Sequence, residues 1–150
     1  MTHPENKKFA ETLKSLNIVY LALLFGQLML GALFVILINS DAVSAEMDAE
    51  TQYIINTSAL LISIVAIPVG YWLYSQRGKH AQSLVNEDQK IEIFRNITIL
   101  KLATFELGGM ANLIAFLICQ SQQSLLIFAI VIIIFLLNKP SQQNYFDNFE

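Results

Sequence analysis

The residue best placed to do chemistry in this sequence is Glu106, which lies inside an apolar run from Ile97 to Gln120. At a helical rise of about 1.5 Å per residue, Glu106 is about 14 Å from the start of that run, near the middle of a hydrocarbon layer of about 30 Å. An ionisable side chain at this depth is costly unless it is neutral, paired or hydrated, and such residues mark ion pathways and proton relays. Glu106 is therefore the first candidate for ion or proton binding.

Two further polar residues, Gln27 and Ser63, are expected in the same layer as Glu106. Gln27 lies ten residues into the first apolar run, and Pro68 in the second run leaves the carbonyl of Ile64 without its helical donor, close to Ser63. Carboxylate, amide, hydroxyl and carbonyl oxygens suit small hard cations, so this layer could bind a proton or sodium. In the alternative interpretation, a protonated Glu106 donates a hydrogen bond within the layer and only locks the helices. We favour the structural interpretation because a single intramembrane acid is present.

The elements that carry these residues are four apolar stretches, and they dominate the chain. Of its 150 residues, 55% are hydrophobic and 14% charged, which is unlike a soluble domain. The stretches are too long for the strands of a membrane barrel, so helices are predicted. The sequence predicts an all-α, single-domain bundle over residues 1–150 with four transmembrane helices at about 17–39, 53–75, 97–120 and 125–138.

The distribution of charge predicts the orientation of this bundle. Basic residues precede the first stretch and fill the loop between the second and the third: Lys7, Lys8, Lys14, Arg77, Lys79, Lys90 and Arg95. The loop at 40–52 has four acidic residues and no Lys or Arg. Since basic loops stay inside, we expect both termini and the central loop to be cytoplasmic in a multi-pass protein of the bacterial inner membrane.

Several residues are predicted to pack helices together or to fix their ends. Small and amide side chains allow close helix approach in membranes, and the candidates are Gly26, Gly31, Pro68, Gly108, Gly109 and Asn112. Asn86 to Gln89 resemble a capping box, so the third helix should begin near Glu87. Lys101 is shallow enough for its stem to reach the interface. The aromatic tail at 139–150 is expected either to lie at the interface or to dock on protein.

The run LATFELGGM resembles the c-type proteolipid subunits of rotary ATP synthases, because it carries one membrane carboxylate among small residues on an outward-running helix. That resemblance implies that Glu106 carries the transported ion, with Gln27 or Ser63 as auxiliary ligands. The packing helices here have fewer glycines than that family's glycine-rich repeat. As a whole, the chain resembles uncharacterised small four-helix bacterial membrane proteins in which a carboxylate recurs in helix three.

Two functions remain open from the sequence. An accessory or assembly subunit of a larger membrane complex is the first, because the chain is small and has no predicted soluble domain. Proteolipid-like handling of protons or sodium through Glu106 is the alternative. The expected partners are the lipid bilayer and either another membrane protein or further copies of this chain.

Enzymatic activity is not predicted from the residue pattern. His3 and His80 lie outside the apolar stretches, and no nucleophile–base pair, metal-ligand spacing or phosphate-binding loop is found. We therefore predict no cofactor and no metal site. The nine basic residues are spread for topology rather than clustered on one face, so no nucleic-acid binding is expected.

Overall fold

The computed structural model describes residues 4–40 and 47–149, and these residues form five helices. The helices are α1 (Pro4–Asn39), α2 (Ala49–Gln82), α3 (Glu87–Cys119), α4 (Gln122–Leu137) and α5 (Gln142–Phe149). The all-helical class is confirmed over this part of the chain. Part of the acidic loop, at 41–46, lies outside the described residues.

Three of these helices, α1, α2 and α3, are long and apolar enough to cross a membrane. A fourth crossing is reached only if α4 and α5, which are bent by 81° at their junction, are taken together. The 16 residues of α4 extend about 24 Å, less than a hydrocarbon layer of about 30 Å. The structure thus supports three to four membrane-spanning helices.

The boundaries of α2 and α3 are set by side chains that cap free backbone N–H groups. Asp48 accepts hydrogen bonds from the backbone N–H and the hydroxyl of Thr51, at 2.9 and 2.8 Å. Asn86 accepts from the backbone N–H of Asp88 at 2.9 Å, and α3 begins at Glu87, as predicted. These two caps define where the loops end and the long helices begin.

The contacts of α3 with α2 show that these two helices are antiparallel. Gly70 lies beside Thr104, and the carbonyl of Ala59 accepts a hydrogen bond from Asn112. The residue numbers therefore fall along α2 as they rise along α3. This pair forms the largest helix–helix interface of the described residues.

The remaining contacts complete an up-down-up-down order. Gln27 lies against Gly109, so α1 lies beside α3 and, with Gly31 next to Leu113, runs parallel to it. Gly31 also lies against Phe128 of α4. Nearer the start of α1, the ring of Tyr20 stacks on that of Phe135, with centroids 5.2 Å apart. Because the residue numbers at these contacts rise along α1 as they fall along α4, α4 is antiparallel to α1.

The third helix is the centre of the bundle. Half of its most apolar stretch is buried inside the chain, against 17% for α1 and 22% for α2. It contacts α1, α2 and α4, whereas α1 packs mainly on α3. More of α3 than of α1 is therefore held between neighbouring helices, while most of α1 faces away from the protein.

The C-terminal helix α5 docks on the chain's own helices. Tyr145 and Phe149 are buried in an aromatic cluster with Phe94 and Tyr74. Phe9 of α1 lies 4.7 Å from the ring of Tyr145. Of the two predicted roles for the tail, docking on protein is the one that the described part of it adopts, and the protein is its own chain.

Candidate functional site

The glycine pair Gly108–Gly109 forms the middle of the candidate site, because two helices approach α3 there from different sides. A Cβ atom at Gly108 would lie 3.2 Å from the Cα of Ser63 in α2. A Cβ atom at Gly109 would lie 3.2 Å from Oε1 of Gln27 in α1. A larger side chain at either position would need α2 or the amide of Gln27 to move, so this pair allows the close approach of α1 and α2 to α3.

A buried hydrogen-bond network joins α2 to α3 on one side of this pair. The two N–H groups of Asn112 Nδ2 are shared among three acceptors: Oγ of Ser63 at 2.6 Å, the carbonyl of Gly108 at 2.9 Å and that of Ala59 at 3.2 Å. Oγ of Ser63 in turn donates to the carbonyl of Gly108 at 3.0 Å. Because Asn112 and Ser63 are both buried, the network holds two helices in a fixed register.

On the other side of the glycine pair, Gln27 is buried without a hydrogen bond. Its side chain is 1% exposed, and neither Oε1 nor Nε2 has a hydrogen-bond partner among the described residues. An unpaired buried amide is costly, and native structures contain few of them. Gln27 is therefore a group with unused capacity to donate and to accept.

Glu106 lies one helical turn before Gly109, on the stripe of α3 that includes Leu102 and faces α1. Its side chain is half-buried. In the described part of the chain, no hydrogen bond or ion pair reaches its carboxyl group. The carboxyl group that the sequence predicts to be deepest in an apolar run thus has no partner among residues 4–40 and 47–149.

The structure does not bring Gln27, Ser63 and Glu106 together as one set of ligands. Ser63 is engaged with Gly108 and Asn112, whereas Gln27 lies against Gly109, and no hydrogen bond joins any two of the three. The sequence placed them at one depth, but depth does not fix the direction in which a side chain points. The hydroxyl of Ser63 thus ties α2 to α3, whereas Gln27 on α1 and Glu106 on α3 have no hydrogen-bond partner among the described residues.

Pro68 differs from its prediction as a packing residue. It is exposed, as is Ile64, whose carbonyl was expected beside Ser63. The helix α2 runs without a break from Ala49 to Gln82. Pro68 therefore lies along the groove between α2 and α4 rather than in the centre of the bundle.

The two predicted packing glycines of α1 differ from each other. At Gly31 an added Cβ would lie 3.1 Å from the ring of Phe128, so α4 approaches closely there. At Gly26 an added Cβ would have no atom within 4 Å. Gly26 is exposed, so its predicted role in helix packing is not fulfilled by any helix among the described residues.

Lys101 is buried instead of extending to water. Its side chain is 5% exposed, and Nζ lies 4.0 Å from the centre of the Tyr74 ring and 5.8 Å from that of Tyr71. Described acidic residues make no ion pair with it. The faces of two aromatic rings, which are electronegative, stabilise the ammonium group.

A stripe of small residues on α2 was not recognised in the sequence. The buried side of α2 consists of Ala59, Ser63, Ala66, Gly70, Tyr74, Gly78 and Ala81. The spacing of three and four residues between small side chains is the signal that predicts it. This stripe explains why α2 and α3 pack so closely over their whole length.

Comparison with models of known protein families, with curated proteins and with solved structures gives no match. Over 4–40 and 47–149, no cluster of three or more His, Cys, Asp or Glu residues could hold a metal ion.

Proposed function

We propose that this chain is a multi-pass protein of the bacterial inner membrane, with four transmembrane helices and both termini in the cytoplasm. We propose further that it acts as an accessory or assembly subunit of a larger membrane complex. The orientation is supported by the basic residues beside α1 and between α2 and α3, and by the acidic loop before α2.

The observation that carries the accessory role is the unpartnered carboxyl group of Glu106. A carboxyl group in contact with hydrocarbon gains free energy from any donor that reaches it, and this chain supplies none among its described residues. A helix of another membrane protein that lies along α1 and α3 would supply that donor. The same helix would cover polar atoms that lipid cannot satisfy.

The exposed face of α1 supports the same role. Ala22 and Gly26 are four residues apart on this face, and both are exposed. Small residues at this spacing let a second helix approach closely, and Gly26 has no neighbour of its own chain within 4 Å. A bulky side chain at Gly26 would therefore disturb a partner helix without disturbing this chain.

A photoreactive amino acid at position 26 tests the accessory role in the protein's own membrane. We expect an adduct with a second membrane protein from position 26 and lipid adducts only from position 126, an exposed apolar site on α4. Glu106→Leu should reduce the protein adduct from position 26. Lipid adducts alone from both positions, or adducts only with another copy of this chain, would contradict the accessory role.

Ion handling is the second candidate, and the unpaired amide of Gln27 favours it. Gln27 and Glu106 are on neighbouring helices, and their side-chain oxygen atoms have no partner among the described residues. A carbodiimide that reacts with protonated carboxyl groups in membranes should label Glu106, and sodium should slow the labelling if the oxygens bind it. Glu106→Gln is the control for labelling elsewhere; absence of labelling at Glu106 under all conditions would reject this candidate.

A further inference from the structure

A long groove runs along the seam between α2 and α3. It consists of three cavities of about 300, 460 and 410 Å³. The second and third share Ile62 and Leu107, and the first ends at Leu100, one helical turn before Thr104 of the second. The cavities therefore follow one another along the same faces of the two helices.

The groove has a polar end and an apolar remainder. The first cavity is lined by Arg77 and Asn96 together with three isoleucine and leucine side chains. Both polar residues are exposed, and Arg77 makes no ion pair or hydrogen bond with another described residue. No acidic residue lines any of the three cavities. The guanidinium group is thus free to bind an anion at this end only.

The first two cavities of the groove together match the thickness of one leaflet of a bilayer. Asn96 and Leu107 are eleven residues apart, which corresponds to about 16 Å along a helix. Half of a hydrocarbon layer is about 15 Å. An acyl chain that starts at the level of Asn96 would therefore end near Leu107, among side chains that are apolar apart from Thr104.

We propose that the α2–α3 groove binds an anionic phospholipid of the leaflet that contains Arg77, with the phosphate on Arg77 and Asn96 and one acyl chain between the helices. A guanidinium group binds phosphate through two parallel hydrogen bonds, and basic pockets between membrane helices recognise anionic headgroups. This proposal is independent of the accessory role, because the groove lies on a different side of α3 from Gln27.

A second groove of the same protein provides an internal comparison. It lies between α2 and α4, is about 400 Å³ in volume and is lined by Ser63, Pro68 and six apolar residues. No charged residue lines it. Lipid in that groove is expected to exchange without preference for its headgroup, whereas lipid in the α2–α3 groove is selected by charge.

Native mass spectrometry of the protein from nanodiscs tests the lipid site. The nanodiscs contain phosphatidylglycerol and phosphatidylcholine with identical acyl chains, in equal amounts. We expect the wild-type protein to retain one phosphatidylglycerol at least tenfold more often than one phosphatidylcholine. Arg77→Gln should abolish this preference, and Arg77→Lys should keep a part of it because the positive charge remains.

Lys79→Gln is the matched control, since Lys79 is an exposed basic residue on α2 that does not line the groove. It should leave the preference unchanged, and circular dichroism should show equal helix content in all variants. Equal retention of the two lipids by the wild-type protein would overturn the proposal, as would equal losses in Arg77→Gln and Lys79→Gln. Displacement of the lipid by soluble glycerol phosphate would also overturn it, because the acyl chain would then contribute nothing.

Discussion

Adding one methyl group at Gly108 should destabilise the bundle, whereas adding it at Gly26 should not. Both glycines lie inside long helices, and both were predicted from the sequence to pack helices. At Gly108 the new Cβ would lie 3.2 Å from the Cα and from Oγ of Ser63. The Cα is backbone and cannot rotate away, so α2 has to move. At Gly26 no atom lies within 4 Å of the new Cβ.

The size of the effect follows from comparing the two variants. Gly→Ala in a helix gains up to about 1 kcal/mol from propensity alone, and this gain is common to both. Overpacking a close contact costs about 1–3 kcal/mol, and this cost applies to Gly108 alone. Movement of α2 also lengthens the bonds among Ser63, Gly108 and Asn112. The unfolding free energy of Gly108→Ala should therefore be about 1–3 kcal/mol below that of Gly26→Ala.

Reversible unfolding measures this difference. The two variants are purified in mild detergent and titrated with a denaturing detergent, and circular dichroism follows the loss of helix. Gly109→Ala provides an intermediate case, because its new Cβ would meet the amide of Gln27, which can rotate. The expected order of stability is Gly26→Ala, then Gly109→Ala, then Gly108→Ala. Equal stability of Gly108→Ala and Gly26→Ala would refute the close approach of α2 and α3 at this point.

Three further predictions concern other parts of the chain. A double-mutant cycle of Ser63→Ala and Asn112→Ala should give a coupling free energy of about 0.5–1.5 kcal/mol, as for other interhelical hydrogen bonds in membranes; zero coupling would show that the two groups do not meet. Phe149→Ala should lower the unfolding free energy by about 3–5 kcal/mol because the Phe149 side chain is fully buried. Phe146 is exposed, so Phe146→Ala should change it by less than about 0.5 kcal/mol, and similar effects of the two substitutions would contradict docking of α5. The hydrogen bond from the backbone N–H of Thr51 lowers the pKa of Asp48. The capping interaction should therefore persist at neutral pH and be lost as the pH falls below about 4. An NMR amide resonance of Thr51 that does not shift on acidification would contradict the cap.

The local signals in the sequence predicted where α3 begins better than which residues contact each other across helices. The start of α3 at Glu87 followed from the capping pattern at Asn86, since a cap is a contact within a few residues. Ser63 was expected in the same layer as Gln27 and Glu106, but its hydroxyl points into the α2–α3 interface, because the rotation of each helix depends on partners far away in the sequence.

The dependence of contacts on residues far away in the sequence also explains why the roles of the glycines and of the C-terminal tail could not be predicted. Gly26 and Gly31 have similar surroundings in the sequence, yet only Gly31 meets Phe128, a residue almost one hundred positions away. Tyr145 and Phe149 are four residues apart, a spacing that allows docking on protein or on lipid. In the folded chain both rings pack in one buried cluster with Phe94, and that long-range contact is not visible in the local sequence.

Native mass spectrometry of the protein, mildly extracted from its own membrane, tests the accessory role most directly. The wild-type chain and Gly26→Ala should both fold, while Gly26→Leu and Glu106→Leu should fold but bind less partner. Among the described residues, no atom lies within 4 Å of an added Cβ at Gly26, and none pairs with the carboxyl group of Glu106. The account predicts a wild-type complex of fixed composition with a second membrane protein, and its loss in the two leucine variants. A monomer, a homo-oligomer, or a complex that survives both substitutions would contradict it.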